Sequence, residues 1–133
     1  MKPILCLDFD GVIHSYTSGW KGADSVPDVP VPGAIAFIKR ATEDFRVAIF
    51  SSRSNQPGGR EAMNNWLLNM AINGGFSEVL DEPSWFNAIE WPTEKPAAMV
   101  TIDDRALTFD GTWPSMETLK AFQPWNKRQR KAT

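Results

Sequence analysis

The chain opens on a continuous apolar run, ILCLDF (residues 4–9), the pattern expected of a strand covered on both faces. Strong amphipathic order returns only after residue 32. The intervening HSYTSGWKGADSVPDVPVP (residues 14–32) holds three prolines and two glycines, which disfavour helix or central strand. A long unpatterned insert in a small domain predicts a flap over a site. Beyond it, Pro32 suits a first helical turn, and Ala34, Ile38, Ala41 and Phe45 follow at helical spacing around the polar ATED. RVAIF (46–50) predicts a second buried strand. From about Gly59, the residues Met63, Trp66, Leu67 and Met70 form an i, i+3, i+4, i+7 stripe that stops at NGG (73–75).

The second half is less regular. SEVLDE (77–82) predicts a weaker third strand, SWFNAIEWPTEKP (84–96) an irregular stretch, and AAMVTID (97–103) another buried strand. ALTFDGTW (106–113) predicts a hairpin or short edge strand, and SMETLKAF (115–122) a closing helix. Such alternation predicts an α/β fold, a three-layer Rossmann-like parallel sheet with right-handed crossovers and helices on both faces. The expected organisation is one domain over residues 1–125, with the flap at 14–32 and a basic tail at 126–133.

Composition narrows the class without naming a partner. A chain of 133 residues that is 42% hydrophobic and 23% charged, with a net charge of −2, is expected to be a soluble globular domain, neither disordered nor a nucleic-acid coat. Lone Cys6 lies inside the first apolar run and reads as a small buried hydrophobe. The first residues enter a strand without a charged leader or long apolar stretch, so cytoplasmic localisation and no membrane partner are expected. NKRQRK (126–131) reads as a solvated tail, with a phosphate-contacting role as its alternative.

The polar residues that carry chemistry fall where the apolar runs end. Asp8 and Asp10 follow the first strand, Ser51 and Arg53 the second, Asp103 and Asp104 the last. Parallel sheets build sites at the carboxyl ends of their strands, so these corners are expected to meet. Two carboxylates ~4 Å apart repel by roughly 4 kcal/mol at an effective dielectric of about 20, which calls for a cation. Magnesium suits oxygen ligands in a chain without a His or Cys cluster, and Lys95 offers a second positive charge. Residues two apart in an extended segment share a side, so Asp8 and Asp10 can face one reacting centre, and Gly11 permits a sharp turn near an anion. The spacing suits covalent catalysis through an aspartyl phosphate.

Taken together, DFDGV, VAIFSSR, EKP and VTIDDRA resemble the four ordered motifs of the haloacid dehalogenase superfamily, chiefly magnesium-dependent phosphatases, in a form without a separate cap domain. The resemblance implies that Asp8 attacks phosphorus and that Asp10 protonates the leaving oxygen and later activates water. It implies that Ser51 and Lys95 hold phosphoryl oxygens. Magnesium would be bound by Asp8, by the backbone carbonyl of Asp10 and by Asp104, with Asp103 orienting Lys95 or a bound water. SSR resembles most closely the phosphatase domain of polynucleotide kinase, which implies that Arg53 contacts phosphate.

Gly11, Ser52, His14 and Lys21 complete the candidate substrate contacts. For His14 the alternative is a loop histidine with an ordinary hydrogen bond, and for Trp20 and Lys21 the alternatives are stacking on a base and binding phosphate or pinning the loop. The expected activity is magnesium-dependent hydrolysis of a phosphomonoester, a nucleic-acid 3′-phosphate or a nucleotide. Its partner is then a phosphorylated small molecule or nucleic-acid end. The alternative is a catalytically silent module that binds nucleic acid or protein.

Overall fold

The computed structural model describes residues 1–127, so residues 128–133 of the expected basic tail lie outside the described residues. Strand β1 (Ile4–Leu7) leads through the flap to helix α1 (Ala34–Asp44), then strand β2 (Arg46–Ile49) and helix α2 (Gly59–Asn73). Strand β3 (Val100–Ile102) and the short helix α3 (Met116–Lys120) follow. The sheet is parallel, in the order β2-β1-β3. This is the small α/β arrangement that alternating strand and helix patterns predict.

Every residue of Leu5–Leu7 and Val47–Ile49 is buried, and successive strand side chains point to opposite faces, so β1 and β2 are covered on both sides. The cover includes Ile35, Ile38 and Ala41 of α1 and Met63, Trp66, Leu67 and Ala71 of α2. Pro32 stands two residues before the first helical residue, Ala34, because Gly33 takes the N-cap position with φ 83°. Among the described residues no helix is long and apolar enough to cross a membrane.

Three expected elements differ. Residues 77–82 form no strand; Ser77–Leu80 is a 3-10 turn in which only Val79 is buried. The chain reaches the free side of β2 later, where Glu90 N–H donates to Val47 O (2.8 Å) and Ile49 N–H to Glu90 O (2.9 Å). β3 pairs as expected but is not buried, since Val100 and Ile102 are exposed at the sheet edge. The cause is downstream: residues 106–113 form no hairpin, and α3 buries none of its residues, so nothing among the described residues covers that edge.

Candidate active site at the carboxyl ends of the strands

Strand register builds the site. Leu7 stands opposite both Ile49 and Ile102, so the three strands end level and their next residues emerge at one edge. Asp8 N–H extends the ladder to Ile102 O (2.9 Å), and Phe50 N–H to Leu7 O (3.1 Å). Two adjoining crevices open there. One, of about 270 Å³, is lined by Asp8, Asp10, Tyr16, Trp20, Ser51, Ser52, Asp104 and Arg105. The other, of about 160 Å³, shares Asp8, Ser51 and Ser52 and adds Lys95 and Asp103. A larger open groove of about 770 Å³ runs beside the start of α2, with Arg60, Asn64 and Trp91 in its wall, and contains none of these acids.

Asp8, Asp103 and Asp104 each present a carboxylate oxygen, all within 4.8 Å of one another. Burial raises the Asp8 carboxyl from its ordinary 3.8 to about 8; the Phe9 amide works against this, and the carboxylates of Asp104 and Asp103 add to it. Asp104 Oδ1 is buried and has no hydrogen-bond partner. A hard divalent cation fits this donor set: it takes oxygen ligands, relieves the mutual repulsion and gives the orphaned oxygen a partner. The side chain of Asp10 is not part of the group. Gly11 makes the close approach possible, because at φ 83° a Cβ there would overlap the Asp104 carboxylate and lie 2.7 Å from its Cγ.

Ser51 sits in the crevice wall with its hydroxyl oxygen accepting from Arg53 N–H (3.0 Å). Its proton finds only the Met63 thioether at 3.5 Å, a weak acceptor, so the O–H is free to turn to a stronger one such as a phosphoryl oxygen. Ser52 and Lys95 are exposed at the crevice mouths. Lys21 is exposed and lines neither crevice.

Arg53 and His14, expected on substrate, lie behind the crevice and are fully buried. Arg53 donates from Nε to Asp10 Oδ2 (2.9 Å) and from Nη2 to Asp10 Oδ1 (3.1 Å). Its Nη1 donates to the carbonyls of Gly22, Ala23 and Ser25 at 2.8–2.9 Å. Every guanidinium nitrogen is thus engaged on protein oxygen. His14 Nε2 accepts from Asp28 N–H (3.0 Å), which leaves Nδ1 to donate to Asp10 Oδ1 (2.8 Å). Although burial opposes it, these donors from His14 and Arg53 hold the Asp10 carboxyl below its ordinary value. The flap is pinned further by Trp66 Nε1–H on Asp28 O (2.9 Å), so this proline-rich insert packs on the core.

Sequence reasoning missed Tyr16 and Arg105 as crevice residues. Arg105 was signalled by its place directly after the acid pair. Tyr16 carried no signal, being at φ 61° and the one non-glycine with positive φ among the described residues. Trp125 was also missed; its Nε1–H donates to Gly11 O (2.8 Å) and ties the C-terminal segment to the acid loop. Comparison of the chain with protein-family models, curated proteins and solved structures finds no match.

Proposed function

We propose that the chain is a magnesium-dependent phosphomonoester hydrolase of the haloacid dehalogenase type, on a three-layer form of its sheet, working through a phosphorylated Asp8. The observation that carries this reading is the carboxylate group of Asp8, Asp103 and Asp104 beside a buried, unpartnered Asp104 oxygen. Those three side chains would hold the metal, which when bound would offset phosphoryl charge and keep Asp8 ionised at neutral pH.

The chain's own groups supply the rest. An Asp8 oxygen attacks phosphorus, the ester P–O bond breaks, and the leaving oxygen takes a proton. Ser51 O–H and Lys95 flank Asp8 and steady the phosphoryl oxygens as charge shifts onto them. Water then attacks the acyl phosphate, releasing inorganic phosphate and freeing Asp8. Asp10, which lines the same crevice as Asp8, is the candidate to carry the proton in both halves. To do so its carboxylate has to leave the Arg53 fork, which makes Arg53 a positioning residue in this reading and not a phosphate ligand.

That same fork favours a second reading, a silent binding module in which Asp10 never leaves Arg53. One experiment separates them: phosphate release from p-nitrophenyl phosphate with magnesium or EDTA, by wild type and Asp8→Asn. Metal-dependent release that Asp8→Asn abolishes supports the hydrolase. Equal release by both proteins removes Asp8 from the reaction, and no release by either leaves the binding module.

A further inference from the structure

We propose that Trp20 is a stacking platform at the mouth of the Asp8 crevice that selects a leaving group carrying a planar aromatic base, the nucleoside of a nucleoside monophosphate. This rests on the phosphomonoester reading for its chemistry and on independent geometry for its recognition. Trp20 lies over the Arg53 guanidinium, whose Cζ is 4.9 Å from the ring centroid. Arg53 in turn is wholly buried and held by five hydrogen bonds to Asp10 and the flap carbonyls. A ring supported from beneath by a fixed cation cannot sink into the core, yet Trp20 remains 46% exposed in the wall that also contains Asp8.

A loop pin buries its aromatic ring. Trp66 does that work here, being 6% exposed with its N–H on the flap carbonyl of Asp28. Trp20 is not needed for it, because Arg53 already holds the adjacent turn through Gly22, Ala23 and Ser25. Tyr16 adds a second aromatic to the same wall, in a backbone conformation that bulky residues rarely adopt. Arg105, 65% exposed in its side chain, adds a charge to the same wall, its Nε 4.0 Å from Asp104 Oδ2.

The volume of the crevice, about 270 Å³, falls just short of the range of about 300–1,000 Å³ usual for small-molecule sites. It takes the phosphoryl end and the start of the leaving group, so whatever follows lies at the rim, where Trp20 stands. A sugar spacer with a planar base matches that layout. An aliphatic phosphate leaves the ring without a partner.

The test compares adenosine 5′-monophosphate, a short oligonucleotide with a terminal phosphate, and glycerol 3-phosphate. Wild type is set against Trp20→Ala, Trp20→Leu, which keeps apolar bulk without a ring, and Trp20→Phe. The ratio of kcat/KM for either base-bearing substrate over glycerol 3-phosphate should fall roughly 5- to 150-fold in Trp20→Ala or Trp20→Leu, the range expected for losing one base–aromatic stack. Trp20→Phe should restore most of it. A fall confined to the mononucleotide or to the oligonucleotide identifies the source of the base. An unchanged ratio for both in a folded variant overturns the proposal.

Equilibrium dialysis of adenosine 5′-monophosphate in EDTA keeps the two readings apart. A protein that releases no phosphate from these three esters or from p-nitrophenyl phosphate refutes the hydrolase, while the platform still stands or falls on whether Trp20→Leu weakens nucleotide retention relative to wild type and Trp20→Phe.

Discussion

Arg53 and Asp10 form a two-pronged ion pair, Nε to Oδ2 at 2.9 Å and Nη2 to Oδ1 at 3.1 Å, with the arginine fully buried and the aspartate side chain 15% exposed. The remaining nitrogen of the fork collects flap carbonyls, so one side chain sets the rotamer of the proposed proton carrier and the position of the loop above it. Removing one partner of a buried pair leaves the other charge desolvated, which costs about 3–5 kcal/mol. Arg53→Met should therefore lower stability by roughly 3 kcal/mol in urea denaturation. It should also free the flap locally. Lys21 is exposed within the flap, and tryptic cleavage after it should accelerate by roughly tenfold or more, as when local opening becomes easier by about 1.4 kcal/mol. Faster global unfolding with unchanged cleavage after Lys21 in native buffer would show that the flap is held by other contacts.

Gly11 is needed on two counts, its positive φ and the Asp104 carboxylate packed against it. A left-handed backbone costs an ordinary residue about 1–2 kcal/mol, and the added methyl must also displace Asp104. Gly11→Ala should lose at least that much stability, read from the urea midpoint, and the rise in Tm on adding magnesium should shrink with it. A variant that keeps the full magnesium response would mean that Asp104 is not a ligand.

These two sites mark how far the sequence could be read. The hydrophobic pattern located β1, α1, β2 and α2 because each strand is a continuous apolar run buried on both faces and each helix buries a repeating stripe. It failed at residues 77–82, where Val79 alone is buried, and it did not find the pairing of Glu90 with β2, which depends on one backbone crossing with no apolar repeat. Exposure of β3 is set by what covers the sheet edge, a property of other segments. At the site, Asp8, Ser51, Asp103 and Asp104 converge because strand ends fix their positions, and Lys95 joins them from the loop before β3. The destination of Arg53 was not legible, because a guanidinium suits phosphate and carboxylate equally and only the fold shows Asp10 in its fork.

Trp125 ties the C-terminal segment to the acid loop through a hydrogen bond from Nε1–H to Gly11 O at 2.8 Å. Leu107, Phe109, Trp113, Met116 and Leu119 are all exposed, so little burial helps to hold residues 106–124. Trp125→Phe keeps the ring and removes the donor. Its global cost should be small, about 0.5–1.5 kcal/mol, while amide exchange across 106–124 should quicken and exchange in α2 stay as in wild type. Equal acceleration in both regions would mean that the bond supports the whole fold.

The Asp8 cluster makes stability depend on pH and metal with a definite sign. Burial, with Asp104 and Asp103 adding, raises the Asp8 carboxyl from 3.8 to about 8, so between those values the folded chain holds this proton more tightly than the unfolded chain does. That contribution is complete below about pH 4 and is lost as pH rises toward 8, so in EDTA the protein should become less stable across this window. Asp10 has the opposite sign: its depressed carboxyl contributes fully above 3.8 and fails only below it, so it leaves the window clear. Magnesium binds the ionised carboxylates and should therefore raise Tm more at pH 8 than at pH 5. Asp104→Asn removes one repelling charge, so it should flatten the EDTA profile, raise metal-free stability at pH 8 and erase most of the magnesium response. Thermal melts of the two proteins at both pH values, with EDTA or magnesium, check all three. A wild-type profile in EDTA that is flat from pH 5 to pH 8 would mean that Asp8 titrates as an ordinary carboxyl.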